Sequence, residues 1–190
     1  MIFAKKGHGR LRKDSVILVV VDIQERLIPA MREGEKVVEQ SSKIIKGFRA
    51  LDIPILVTQQ YTKGLGESVE AVRDAFDGIF SYIEKSAFSV MGEPSFKEVL
   101  AHTYRKTVVL IGVEAHVCVL QSALDMIEEG YEVFLVTDAI SSRKETDEVP
   151  ALSRMKDAGV VLTTVESALF ELLDNDSKSD TFKTISKLIK

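Results

Sequence analysis

Short apolar runs alternate along the chain with segments in which apolar residues recur every three or four positions. Runs of the first kind predict buried strands, and segments of the second kind predict helices. The predicted strands are Ser15–Ile23, Ile55–Thr58, Ile79–Ile83, Val108–Ile111, Tyr131–Thr137 and Val160–Thr164. This alternation predicts an α/β fold, a doubly wound parallel six-stranded sheet with helices on both faces. The pattern leaves the order of the strands open.

Helices are predicted between and after these strands. Their expected ranges are 34–51, 68–76, 94–104, 115–129, 144–158, 166–173 and a C-terminal helix within 177–190, with its apolar residues in 182–189. Pro150 must lie near the start of its helix or break it, because proline lacks the N–H that an interior helical position uses. Residues 63–66 are predicted to form a loop.

Length and composition restrict the class of protein. A chain of 190 residues predicts one domain over 1–190, preceded by a basic tail at 1–13. The net charge of −4 and the pI near 5.5 indicate no nucleic-acid or membrane partner. One cysteine forms no internal disulfide, and no apolar run is long enough for a signal peptide or a membrane span. A cytoplasmic location is therefore expected.

Three residues with reactive or charged side chains follow predicted strands. Asp22 ends the first strand, Lys85 follows the third, and Cys118 follows the fourth in the first turn of a helix. Alone, each has an ordinary explanation: a turn carboxylate, a solvated lysine and an inert buried thiol. Carboxyl ends of parallel strands are where open α/β sheets bind ligands. Together the three predict a thiol nucleophile, a base and a cation, and the helix start is expected to lower the pKa of the thiol.

A cysteine–histidine pair is the weaker alternative. His116 precedes Cys118 by two residues, a spacing that points the two side chains to different sides of a helix. If the strand order is 3-2-1-4-5-6, Asp22 and Cys118 face each other across the crevice between the first and fourth strands.

Four motifs resemble those of the isochorismatase-like cysteine hydrolases, which include nicotinamidases and N-carbamoylsarcosine amidases. They are VVVDIQERL at 19–27, VTQQYTKGLG at 57–66, EKSAFS at 84–89 and GVEAHVCV at 112–119. The resemblance spans residues 15–173, and the 57–66 stretch is most similar to small isochorismatase-domain proteins of bacteria and eukaryotes.

The resemblance implies the strand order 3-2-1-4-5-6 and a homo-oligomer, a dimer or larger. It also implies that Asp22, Lys85 and Cys118 form a catalytic triad. A cis peptide bond is implied between Val113 and Glu114, with the backbone N–H groups of Glu114 and Cys118 forming an oxyanion hole.

The chain departs from the family pattern after the second strand. Nicotinamidases carry an Asp-x-His…His metal site there, whereas residues 59–63 read QQYTK, with no carboxylate before Glu67. We therefore expect no bound metal and no cofactor, and nicotinamide becomes a less favoured substrate. Members that cleave isochorismate lack the nucleophilic cysteine, so Cys118 argues against isochorismate.

The predicted function is hydrolysis of a small amide or related C–N bond through a thioester. The substrate-binding residues are predicted from their loop positions to be Gln24, Leu27, Gln60, Tyr61, Phe88 and Arg143. Two alternatives stay open: a catalytically silent or redox-responsive oligomer, and a nicotinamidase-type amidase without the usual metal site.

Overall fold

A computed structural model of the protein describes residues 9–174 and 179–190. The predicted basic tail therefore lies partly outside the described residues, as do the first positions of the predicted 177–190 segment. Six parallel strands form one sheet in the order β3-β2-β1-β4-β5-β6. They are β1 (Val16–Val21), β2 (Ile55–Gln60), β3 (Ile83–Lys85), β4 (Thr107–Val113), β5 (Glu132–Ser141) and β6 (Val161–Thr163). The predicted fold class and the implied strand order are confirmed.

Helices cover both faces of this sheet. They are α1 (Gly34–Ala50), α2 (Thr62–Leu65), α3 (Glu70–Asp74), α4 (Pro94–His102), α5 (Leu120–Glu128), α6 (Glu145–Asp157), α7 (Val165–Leu173) and α8 (Asp180–Ile189). A π-helical turn, Ala115–Val119, precedes α5, and 3₁₀ turns lie at Ile28–Ala30 and Val90–Gly92. Within the described ranges, no helix is long and apolar enough to cross a membrane.

Strand β1 shows why both faces must be covered. All six of its residues are completely buried. Val16, Leu18 and Val20 belong to the core under α1, α7 and α8, whereas Ile17 and Val19, like Val21, belong to the core under α4, α5 and α6. Side chains of a strand alternate between its faces, so an unbroken apolar run has a buried partner on each side.

The edge strand β3 differs from its prediction. It begins at Ile83 instead of Ile79, which is 92% exposed, and Lys85 is its last residue. The apolar positions at 79–82 are not strand; Phe80 packs edge-on against Phe76 with ring centroids 5.3 Å apart. An edge strand of three residues, paired on one side only, has too short a hydrophobic pattern for its ends to be predicted from the sequence.

Three other elements also differ. Strand β5 continues to Ser141, beyond its predicted end at Thr137, and its pairing with β4 shifts between Leu110 and Gly112. The short helix α2 overlaps most of the predicted 63–66 loop. Pro150 lies inside α6 without ending it.

Candidate active site

Asp22 lies directly after β1 in a left-handed backbone conformation, with φ of 52°. Aspartate tolerates this conformation better than most residues. Its N–H donates to the Thr58 carbonyl oxygen at 3.3 Å, and its Oδ1 accepts a 2.8 Å hydrogen bond from the Thr58 hydroxyl. Thr58 pairs with Val21 in the β1–β2 register. The turn after β1 therefore directs a completely buried carboxylate back over the sheet edge.

Lys85 forms a buried ion pair with that carboxylate. It pairs with Gln60 at the ends of β3 and β2, and its Nζ lies 2.7 Å from Oδ2 of Asp22. The same ammonium donates to Oε1 of Gln60 at 2.6 Å and to the carbonyl oxygens of Ala87 at 3.1 Å and Phe88 at 3.0 Å. Neither side chain of the ion pair reaches solvent.

Cys118 completes the cluster. Its Sγ lies 3.6 Å from Nζ of Lys85, and the residue is 7% exposed. The π-helical turn is tied down by Ser122, whose hydroxyl donates to the Cys118 carbonyl oxygen at 2.6 Å and accepts from the N–H of Val90 at 2.9 Å. The three residues predicted as a triad therefore meet at the carboxyl ends of β1, β3 and β4.

Gly112 allows β4 to approach β1 closely enough for this meeting. It pairs with Val21 and has φ of 123°. A Cβ at this position would lie 2.0 Å from the carbonyl oxygen of Val21. Only glycine fits here, because both the backbone angle and the contact exclude a side chain.

Burial controls the charges of the cluster. It raises the pKa of Asp22, an effect that the Lys85 cation opposes, as do hydrogen bonds from Thr58 and the Cys118 thiol. Burial first and the Asp22 charge second raise the pKa of Cys118 to about 12, again against Lys85. The prediction that the helix start lowers this pKa is wrong. The π-helical turn continues directly into α5, but loss of solvent at the buried thiol outweighs the effect of the helix start.

The peptide bond between Val113 and Glu114 is cis, as the resemblance implied. The Glu114 carbonyl oxygen accepts from the N–H groups of Val117 at 3.1 Å and Val119 at 3.2 Å, which sets the start of the π-helical turn. Its carboxylate accepts from Nε of Arg143 at 2.9 Å. The use of the Glu114 and Cys118 N–H groups as an oxyanion hole stays a prediction.

Two of the predicted substrate-binding residues, Gln24 and Gln60, use their side-chain amides to bind protein partners. Gln24 is completely buried, and its amide makes hydrogen bonds to the backbone of Gln60 and Gly66. The amide of Gln60 contacts Lys85 and the carbonyl oxygen of Ser86. The register of β2 turns both amides toward protein partners, and substrate contact by Gln24 and Gln60 stays a prediction.

Three of the other four predicted substrate-binding residues are exposed, and the fourth is half-buried. Tyr61 is 58% exposed and Phe88 is 55% exposed. The side chain of Arg143 is 59% exposed, and Leu27 is half-buried against the core. Substrate contact by these four stays a prediction.

Two polar residues of the site escaped the sequence analysis. Thr58 and Ser122 are both completely buried and hydrogen-bonded to members of the triad. A hydroxyl in an otherwise apolar strand end, and a serine four residues after the cysteine, are weak signals until the register is known. Among the described residues, no group of three or more His, Cys, Asp and Glu side chains could hold a metal ion.

The isochorismatase domain model matches residues 16–167, which include every member of the cluster. The chain belongs to the isochorismatase family. It is 37% identical over 183 residues to isochorismatase domain-containing protein 2 of Danio rerio, covering 96% of this chain and 91% of that protein.

Two solved structures share the fold closely. The MAR1 ribonuclease structure from Caenorhabditis elegans has a TM-score of 0.89 and 36% identity, covering 95% of this chain and 92% of that one. The YcaC gene product from Escherichia coli, described as an octameric hydrolase of unknown specificity, has a TM-score of 0.89 and 26% identity, covering 96% and 92%. Isochorismatase-family proteins are generally hydrolases, which agrees with the coarse prediction of a hydrolase.

Proposed function

We propose that this isochorismatase-family protein is a cysteine hydrolase of a small amide or related C–N bond, acting through a thioester. The observation that carries the proposal is the buried cluster of Asp22, Lys85 and Cys118. A carboxylate, an ammonium and a thiol share one water-excluding site, with Nζ of Lys85 within 2.7 Å of Asp22 and 3.6 Å of Cys118. Burying two opposite charges beside a thiol costs free energy that a purely structural core does not need to spend.

In the first half of the reaction, Sγ of Cys118 attacks the substrate carbonyl carbon while Asp22 accepts the thiol proton. The N–H groups of Glu114 and Cys118 hold the resulting oxyanion. The C–N bond then breaks, and Asp22 returns the proton to the leaving nitrogen. The product that remains is an acyl thioester of Cys118.

In the second half, Asp22 accepts a proton from water as the water oxygen attacks the thioester. The C–S bond breaks, the carboxylic acid leaves, and the proton returns to the sulfur. The raised pKa of Asp22 makes it a stronger base than an ordinary aspartate. The raised pKa of Cys118 keeps the thiol protonated at rest, so proton transfer accompanies attack instead of preceding it.

The exposed rings of Tyr61 and Phe88 and the guanidinium of Arg143 are the proposed contacts for the substrate, with Leu27 beside them. No metal and no cofactor enter this mechanism. We also propose one domain over 1–190, a cytoplasmic location and a homo-oligomer; the octameric relative supports the last of these.

A library of small amides tests the proposal, with nicotinamide included and a single-stranded RNA added because one structural relative is called a ribonuclease. We expect an acyl adduct on Cys118 by intact-mass spectrometry and release of amine, both lost in Cys118→Ala. Amide hydrolysis that survives Cys118→Ala would contradict the mechanism. Oxidation of Cys118 without turnover of any amide would favour the redox-responsive alternative.

A further inference from the structure

Two glutamine side chains connect the triad to the loop after β2. Gln60 contacts Lys85 from the end of β2, and Gln24 holds Gln60 from the segment after β1. We propose that Gln60 is a positioning residue, which fixes the Lys85 ammonium against Asp22 and Cys118, and that Gln24 fixes Gln60 in turn. This inference rests on the proposed function, since it assigns what keeps that site's cation in place.

The chemistry of its partners determines the orientation of the Gln60 amide. An ammonium only donates hydrogen bonds and a carbonyl oxygen only accepts them. Oε1 therefore faces Nζ of Lys85 at 2.6 Å, and Nε2 faces the carbonyl oxygen of Ser86 at 2.9 Å. The amide bridges the cation to the backbone directly after β3.

The Lys85 ammonium is surrounded by more hydrogen-bond acceptors than it has N–H groups. Its three N–H groups serve the Gln60 amide, the Asp22 carboxylate and two backbone carbonyl oxygens, while the Cys118 sulfur lies slightly farther away. The 2.6 Å contact with Gln60 is the shortest of these. Removing this acceptor leaves the ammonium free to follow the carbonyl oxygens away from the sulfur.

The Gln24 amide makes hydrogen bonds to both the N–H and the carbonyl oxygen of Gln60. Its Oε1 accepts from the Gln60 N–H at 2.7 Å, and its Nε2 donates to the carbonyl oxygens of Gln60 at 3.0 Å and Gly66 at 2.7 Å. This arrangement replaces the ladder hydrogen bonds that a strand would supply, just where β2 ends. The completely buried Gln24 side chain thereby sets the position from which Gln60 reaches Lys85.

The neighbouring Gln59 provides a matched control. It is also completely buried, but its amide contacts Ser68 and Thr62 on the other face of β2. It makes no hydrogen bond to the triad. The same substitution at 59 and 60 therefore separates an effect on the cation from an effect on the strand.

Reactivity of the thiol reports on the cation without any substrate. Two charged groups face Cys118, the Asp22 carboxylate from β1 and the Lys85 ammonium from β3. Nearby, Glu114 is paired with Arg143, and the His116 ring lies 2.9 Å from the Ser142 hydroxyl. At pH values below the pKa of a thiol, its alkylation rate rises tenfold per pH unit. A higher pKa lowers the rate at every pH in this range, so the rate at a fixed pH reports the pKa.

The experiment measures iodoacetamide alkylation of Cys118 by intact mass from pH 7 to 9. In Gln60→Glu a new carboxylate beside Lys85 adds negative charge and competes with Asp22, so we expect a rate about tenfold lower at every pH, one pKa unit. In Gln60→Met we expect a smaller fall in the same direction. Gln59→Met should match the unsubstituted protein within about twofold.

Equal rates for Gln60→Met and the unsubstituted protein would overturn the inference, as would an equal fall in Gln59→Met. Thermal melting checks that each variant is folded. If Gln60→Glu does not fold, the comparison of Gln60→Met with Gln59→Met decides the test. Failure of the amide library leaves this comparison intact, so failure of the proposed function and failure of the positioning role are distinguishable.

Discussion

At the amino ends of β1, β2 and β4, charged side chains line a cavity of about 450 Å³. Arg12, Lys13, Asp14 and Asp52 are exposed there, and Arg105 is half-buried. At the carboxyl ends of β1, β3 and β4, one carboxylate, one ammonium and one thiol lie close together, and all three are buried. The amino edge carries more exposed charge, whereas the triad at the carboxyl edge has almost no access to water.

The comparison shows that the number of charged residues at an edge does not determine how reactive that edge is. An exposed charge keeps its solvent and its ordinary chemistry, because water screens it from its neighbours. A buried charge depends entirely on the few groups around it, and each of those groups changes its pKa. Substitutions at the two edges should therefore differ in size even where the residue type and the backbone conformation are the same.

The largest expected difference separates Asp22→Asn from Asp52→Asn. Both aspartates are left-handed, with φ of 52° and 53°, and asparagine tolerates this conformation. Loss of the proposed base should lower amide turnover by about 10²–10⁴-fold. Asp52→Asn should leave turnover unchanged.

The same Asp22→Asn protein should alkylate faster at pH 8, because the Asp22 charge raises the pKa of Cys118 and Lys85 remains to lower it. Iodoacetamide labelling followed by mass spectrometry measures this rate. Slower alkylation in Asp22→Asn would show that the carboxylate assists the thiolate instead of opposing it.

Lys85→Met should come next in size, with Lys13→Met as its exposed counterpart. Removing the cation leaves the Asp22 carboxylate buried without its partner, which costs about 3–5 kcal/mol of unfolding free energy. Lys13→Met should stay within about 0.5 kcal/mol of the unsubstituted protein. Urea denaturation at several pH values measures both.

The loss in Lys85→Met should grow with pH. Lys85 lowers the pKa of Asp22, so removing it raises the folded-state pKa further above the unfolded value of about 4. A raised pKa stabilises the folded protein below the unfolded value, and that stability is lost as the pH rises through the folded value. A deficit that is smaller at pH 8 than at pH 5 would contradict this assignment.

Gly112→Ala should cost about 2–4 kcal/mol of unfolding free energy, because its Cβ would meet the Val21 carbonyl oxygen at 2.0 Å. Gly130→Ala shares a positive φ, 85°, but its Cβ would meet nothing within 4 Å. It should cost only about 1 kcal/mol, the strain of the backbone conformation. Equal losses in urea denaturation would mean that backbone strain alone explains the glycine at 112.

The smallest effect is expected at the amino edge. Arg10 pairs with Asp174 at 3.1 Å, with side chains 50% and 70% exposed. Arg10→Met should lower the unfolding free energy by less than about 1 kcal/mol and should lose even that at high salt. A loss comparable with that of Lys85→Met would erase the distinction between the two edges.

The sequence predicted the central strands because burial on both faces leaves an unbroken apolar run, as in β1 and β4. It also predicted which three polar residues end strands at the same edge. It failed for β3, where exposed Ile79 continues an apolar pattern that the structure does not use as a strand. A single edge pairing leaves no periodic signal.

The chemistry of the site was harder to predict than its membership. The pKa of Cys118 depends on burial by other elements and on Asp22, neither of which a local rule about helix termini includes. The directions of the Gln24 and Gln60 side chains depend on strand register, and a shift of one residue would exchange the roles of Gln59 and Gln60. Loop position therefore identified residues near the site but did not predict their roles.

The protonated state of Cys118 has a practical consequence for chemical biology. Surveys that tag cysteines with simple electrophiles at neutral pH detect thiolates, and a thiol with a pKa of about 12 reacts slowly in such surveys. A covalent probe suited to the proposed reaction carries a carbonyl carbon that the sulfur itself attacks, with Asp22 accepting the thiol proton. Fragment screens built on electrophiles that are attacked at a carbonyl carbon should label this cysteine faster than chloroacetamide screens do.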